Sequence, residues 1–148
     1  MNDLLPPITI VLVLVLAPAA GGAAGADTIR PGYWESVNKV VYPISSTKID
    51  RRCVTAKDVA KFLMGPSNHI YACAYPTQTI GHGQIRFAGE CTDKKGRKVQ
   101  ISGHGTYTPT SLRMTADLTF KLAGIPISAE ASTDARRLGD VCPAEATK

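Results

Sequence analysis

The sequence predicts a mainly β domain of the α+β class: a single curved antiparallel β-meander of about six strands, one short helix at about residues 56–64 packed on its apolar face, and two disulfides. Three observations predict it. From residue 70 onward apolar and polar residues alternate with the period of two expected of half-buried strands. Turn residues interrupt that alternation at short intervals. Four cysteines, Cys53, Cys73, Cys91 and Cys142, follow an N-terminal segment with the features of an export signal, which places them in an oxidising compartment.

The N-terminal segment comes first. Residues 8–16 form an apolar run, too short to span a bilayer, which takes about 20 apolar residues. Pro18 breaks the run, and Ala24-Gly25-Ala26 supplies the small-x-small pattern cut by signal peptidase. Residues 1–7 carry Asp3 and no Lys or Arg, which is atypical of such signals. Cleavage near Ala26 leaves Asp27 as the expected mature N-terminus and residues 27–148 as a periplasmic or secreted domain with no transmembrane span. About 120 residues suffice for one domain.

Residues 32–41, with Tyr33, Trp34, Val37, Val40 and Val41, predict a strand at one edge of the sheet, with Trp34 in the core. Thr55-Ala56-Lys57-Asp58 has capping-box spacing with Asp at the acidic position, so that Thr55 accepts a hydrogen bond from a free backbone N–H. Val59, Phe62 and Leu63 then lie on one helical stripe, and Gly65-Pro66 ends the helix. A helix of about ten residues is marginal alone and must dock on the sheet.

The remaining strands follow at 71–79, 84–92, 98–108, 112–121 and 125–136. Their turns fall at Gly81-His82-Gly83, Asp93-Lys94-Lys95-Gly96, Thr108-Pro109-Thr110-Ser111 and Ala123-Gly124. Loops this short make neighbours antiparallel. Tyr71, Tyr75, Ile85, Phe87, Val99, Ile101, Tyr107, Leu112, Met114, Leu118, Phe120, Ile125 and Ile127 share a dry face; Arg86, Glu90, Gln100, Ser102, His104, Thr106, Arg113, Thr115, Asp117, Thr119, Ser128 and Glu130 share a wet one. Gly89, Gly103 and Gly105 fall on the dry side, where a missing side chain lets a sheet bend or a ring approach.

The turn at His82 assigns the cysteines. Cys73 and Cys91 are equidistant from it and so lie opposite each other, near the Cα separation a disulfide needs. Of the three connectivities that four cysteines allow, this favours Cys73–Cys91 with Cys53–Cys142, the latter closing a long loop. No Cys-x-x-Cys spacing supports a metal centre or a redox site.

The formal charge is +5. It is scattered as pairs (Arg51-Arg52, Lys94-Lys95, Arg97-Lys98, Arg136-Arg137) among acids, which describes a solvated surface or one attracted to anionic headgroups or an acidic partner. Nucleic acid is not an expected partner outside the cytoplasm. His82 and His104 sit in Gly-His-Gly tripeptides, yet the predicted pairing sets His104 near Ile85, about 10 Å from His82, too far to share an ion. Ser102, His104, Asp117 and Glu130 share the wet face without a strained nucleophile turn. The sequence therefore predicts no catalytic residue, no metal and no cofactor.

Arg30-Pro31-Gly32-Tyr33-Trp34-Glu35, the Cys53-Val54-Thr55 entry to a short helix, the two central cysteines, and the ending Arg136-Arg137-Leu138-Gly139-Asp140-Val141-Cys142 together resemble the bacterial envelope family catalogued as domain of unknown function 3617. Val141 stands before the last cysteine here, where in the family that cysteine follows Gly-Asp directly. The resemblance implies a small exported protein of Gram-negative bacteria and supplies no activity. The expected function is noncatalytic binding of a small hydrophobic or lipid-like molecule in a groove lined by Trp34, Phe62, Phe87, Tyr107 and Phe120. The alternatives are an interaction module for another envelope protein and, least favoured, a hydrolase-like enzyme.

Overall fold

The computed structural model describes residues 27–41, 45–65 and 71–147. The expected signal segment, Pro66 and Ile70 lie outside them. Among the described residues the strands are β1 (Gly32–Val40), β2 (Ser46–Val54), β3 (Tyr71–Gly81), β4 (Gln84–Asp93), β5 (Lys98–Thr108), β6 (Ser111–Leu122) and β7 (Ile125–Gly139), with the helix α1 (Val59–Leu63) between β2 and β3. They form one antiparallel sheet in the order β2-β1-β7-β6-β5-β4-β3.

Seven strands replace the expected six. The addition is β2, which also displaces β1 from the edge: β1 lies between β2 and the last strand, β7. β2 was hidden because nearly all of it is exposed, so neither of its faces carries an apolar alternation. α1 is also shorter than expected. Residues 56–58 form a turn, closed by the Asp58 N–H donating to the Thr55 carbonyl at 2.9 Å, and the helix starts only after it. The capping contact runs the other way round: Thr55 donates its N–H (3.1 Å) and its hydroxyl (2.6 Å) to the Asp58 carboxylate. Gly65, at φ 111°, follows the last turn.

The turns set the register. His82 and Gly83 (φ 51° and 73°), like Ala123 and Gly124 (φ 50° and 81°), form two-residue turns with both residues left-handed, the twist that matches hairpin strands. A two-residue turn alone would set Cys73 opposite Thr92. The extra residue of a bulge between Ala74 and Thr77, which holds Pro76, moves the far half of β3 by one, and Cys73 meets Cys91. Gly89 makes room for the bulge, since a Cβ there would lie 1.9 Å from the Ala74 carbonyl oxygen. Both disulfides form in the favoured pairing, with Cα separations of 3.9 Å for Cys73–Cys91 and 5.6 Å for Cys53–Cys142.

The register carries the faces across the sheet as expected, and His104 falls beside Arg86, one residue from the expected Ile85. The dry face holds the core: Ile85, Phe87, Cys91, Val99, Ile101, Tyr107, Leu112 and Met114 are buried on it. Ile125 departs from that rule and is 63% exposed at the end of the β6–β7 hairpin. The sheet must curl, because α1 and Gly65 touch strands far apart in it. Phe62 packs on Trp34 of β1 at a centroid distance of 5.5 Å, while a Cβ on Gly65 would meet Tyr75 of β3 at 3.3 Å and Phe87 of β4 at 3.5 Å. In a flat sheet β1 and β4 would be about 19 Å apart. Curling is permitted at Gly103, where a Cβ would lie 2.5 Å from Cζ of Phe87.

Candidate functional site

Among the described residues, seven strands curled around a five-residue helix leave part of the concave face uncovered. Between α1 and β1, β2, β6 and β7 lies a groove of about 430 Å³, lined by Ser36, Asn38, Asp50, Arg52, Phe62, Leu112, Met114 and Thr133 among others. The pairing explains how these residues meet. One cross-strand row runs Asp50, Ser36, Ala135, Leu112; the next runs Lys48, Asn38, Thr133, Met114. Each row begins charged on β2, passes through small polar or small side chains, and ends apolar on β6. Directly opposed side chains of an antiparallel sheet share a face, so the groove has a polarity gradient along its floor.

Its polar side is ordered by local contacts. Thr133 donates its hydroxyl hydrogen to Oδ1 of Asn38 at 2.8 Å. The Arg52 guanidinium lies over the Phe62 ring, 4.6 Å from its centroid, which holds a cation at the seam between charged and apolar walls. Asp58 and Lys61 border the mouth from the helix side, and the hydrogen bonds from Thr55 hold the Asp58 carboxyl below its ordinary range. The arrangement suits a molecule with an apolar body and a polar end.

Of the five aromatic residues expected to line a groove, the structure places only Phe62 on this one. Trp34 is fully buried, its Nε1–H donating to the Arg30 carbonyl at 3.0 Å. Phe87 packs edge-on against Tyr75 (5.3 Å), and Tyr107 donates its hydroxyl hydrogen to the Asp27 carboxylate at 2.8 Å. Phe120 is half-buried between Val99 and Ile127. The lining residues that sequence reasoning missed sit on β2 and opposite it. Recognising β2 as the hairpin partner of β1 would have set Asp50 beside Ser36 and Lys48 beside Asn38.

The convex face is largely polar, interrupted by Ile49 and Val37, which pair across β2 and β1. Arg51, Glu35 and Arg136 are consecutive across β2, β1 and β7. Glu35 keeps only 9% of its side chain exposed and pairs with Arg51 at 2.7 Å and Arg136 at 2.9 Å; these bonds, Arg51's first, hold its carboxyl below the ordinary range. Glu35 and Arg136, with the Arg113–Asp134 pair (2.6 Å), border a second depression, of about 480 Å³. Ser102, Asp117 and Glu130 form one row of this face, and His104 sits in another, between Arg86 and Thr115. Among the described residues no group of histidine, cysteine and carboxylate side chains could hold a metal ion.

The sequence profile of a family described as protein of unknown function (DUF3617) matches residues 29–142. No curated protein and no solved structure matches the chain.

Proposed function

Because the chain belongs to the DUF3617 family, a protein family of unknown function, we propose its role from the groove: a noncatalytic binding module of the bacterial envelope for a small amphipathic, lipid-like molecule. The observation that carries this reading is the gradient from Asp50 and Lys48 to Leu112 and Met114 along adjacent rows. Ligand sites are largely apolar clefts in which a few polar groups fix orientation. Here the apolar end would take a hydrocarbon portion, while Arg52, Asn38 and Thr133 would receive the polar end. The groove volume suits a small ligand and not a protein segment.

Native mass spectrometry of chain purified from the envelope without detergent tests the reading. An adduct that disappears after solvent extraction is expected, and the extracted protein should bind an anionic naphthalene fluorophore. Arg52→Ala should weaken that binding about tenfold, the scale of one charge-assisted hydrogen bond. An adduct-free mass together with no fluorophore binding would sink the proposal. A second reading has its own observation. β2 is an exposed edge strand without proline, whereas the other edge, β3, is blunted by Pro76 and its bulge. A protein partner crosslinked along β2, with the groove empty, would favour strand addition instead.

A further inference from the structure

The meander places the β4–β5 and β6–β7 turns at the same end of the sheet, and the register makes them flush. Thr92 pairs with Lys98, Val99 with Phe120, and Leu122 with Ile125, so the tips at residues 94–96 and 123–124 reach one level. The two turns have opposite chemistry. Residues 122–127 of the second contain no polar side chain, and Leu122 and Ile125 are 62% and 63% exposed. Hairpin turns are ordinarily built from polar residues and glycine. The first turn carries Lys94, Lys95, Arg97 and Lys98 against a single acid, Asp93, a net charge of +3 over residues 93–98. That acid is turned inward: its carboxylate accepts hydrogen bonds from the N–H groups of Lys95 and Arg97, both 2.9 Å.

β4 and β6 are two strand spacings apart, so the basic turn lies about 10 Å from the apolar tip. Among the described residues, the last backbone hydrogen bond from the β1 side to β7 runs from the Val41 N–H to the Glu130 carbonyl at 2.9 Å, five residues short of Ile125. The nearest acids on the convex face other than Glu90 are Asp117 and Glu130, five residues back from the tip along β6 and β7, and Glu90 is bridged to Lys98 at 2.8 Å.

We propose that this end of the sheet docks on an anionic lipid surface, with Leu122 and Ile125 entering the headgroup layer and Lys94 and Lys95 of the β4–β5 turn resting on the phosphates, while Arg97 and Lys98 are paired with Asp93 and Glu90. Apolar insertion and attraction of basic residues are the two components of reversible membrane attachment, and neither is sufficient alone. The inference stands apart from the groove, which lies on different residues.

Sedimentation of the processed, disulfide-bonded chain with vesicles tests it. The protein should sediment with vesicles of equimolar phosphatidylglycerol and phosphatidylcholine and stay in solution with phosphatidylcholine alone. Leu122→Ser with Ile125→Ser should abolish sedimentation, and Lys94→Gln with Lys95→Gln should weaken it about fivefold per lysine removed. Ile49→Ser changes an equally exposed apolar residue (61%) on β2 and should leave binding intact. Equal binding to both vesicle types, no binding to either, or loss with Ile49→Ser as great as with the tip variant would overturn the proposal. Thermal midpoints of all variants, expected to match the parent, separate loss of docking from loss of fold.

Discussion

At the scale of single residues, close approach governs the concave face. Phe87 can lie flat in the sheet's curve only because Gly103 opposite it has no side chain: an added Cβ would sit 2.5 Å from Cζ of Phe87 and 2.6 Å from the Thr115 carbonyl oxygen. The second of these is backbone and cannot swing away. Gly103→Ala should therefore lower unfolding free energy by about 1–3 kcal/mol, the cost of overpacking a filled site. Gly139→Ala, where an added Cβ has nothing within 4 Å, should be near neutral. Urea denaturation with unchanged m-value would measure both. Such positions were partly legible in the sequence. Alternation placed Gly89, Gly103 and Gly105 on the dry face, but which ring or carbonyl would occupy each gap depends on pairing between strands. The same holds for the aromatic residues: hydrophobicity identified Trp34 and Phe87 as inward-facing, and in the structure they pack against other rings and fill the core.

At the scale of elements, hairpins were readable and long-range pairs were not. Turn chemistry at His82-Gly83 and Ala123-Gly124 fixed the meander from β3 to β7, because a hairpin's partner is set by its turn. Cys73 was matched to Cys91 from symmetry about His82. The structure reaches that pairing by two offsetting departures, a turn centred between His82 and Gly83 and the extra residue at the Pro76 bulge. β2 escaped because Lys48, Asp50 and Arg52 point toward a wet groove and Ile49 and Arg51 toward solvent, so no periodic signal survives. The clasp between Cys53 and Cys142 spans 89 residues, against 18 for Cys73–Cys91. If constraint of the unfolded chain dominates, Cys53→Ser with Cys142→Ser should destabilise by about 4–5 kcal/mol and Cys73→Ser with Cys91→Ser by about 3. The order of the two thermal midpoints checks this, and the reverse order would assign the stabilisation to native contacts instead.

At the scale of the whole molecule, charge is organised by side and by end. Asp27, Glu35, Asp58, Glu90, Asp93 and Asp140 all have carboxyl groups held below their ordinary values of 3.8 for Asp and 4.5 for Glu, chiefly by hydrogen bonds from Tyr107, Arg51, Thr55, Lys98, the Arg97 backbone and Arg137 respectively. A carboxyl whose folded pKa is depressed contributes stability that is fully present above its unfolded pKa and is lost as pH falls through the folded value. The thermal midpoint should therefore be nearly level from neutrality to about pH 5 and fall steeply below about pH 4. A midpoint that rises on acidification would contradict that assignment. The connection carrying α1 has a mechanical consequence. It leaves the sheet from one edge strand, β2, and its helical part rests on both limbs of the curve, Phe62 on Trp34 of β1 and Gly65 beside Tyr75 of β3. The helix thus serves as a keystone, and lifting it removes the packing that joins the two limbs. Neither limb can relax alone, and amide hydrogens of β2 and β3, at opposite ends of the sheet, should exchange with solvent in a single concerted event.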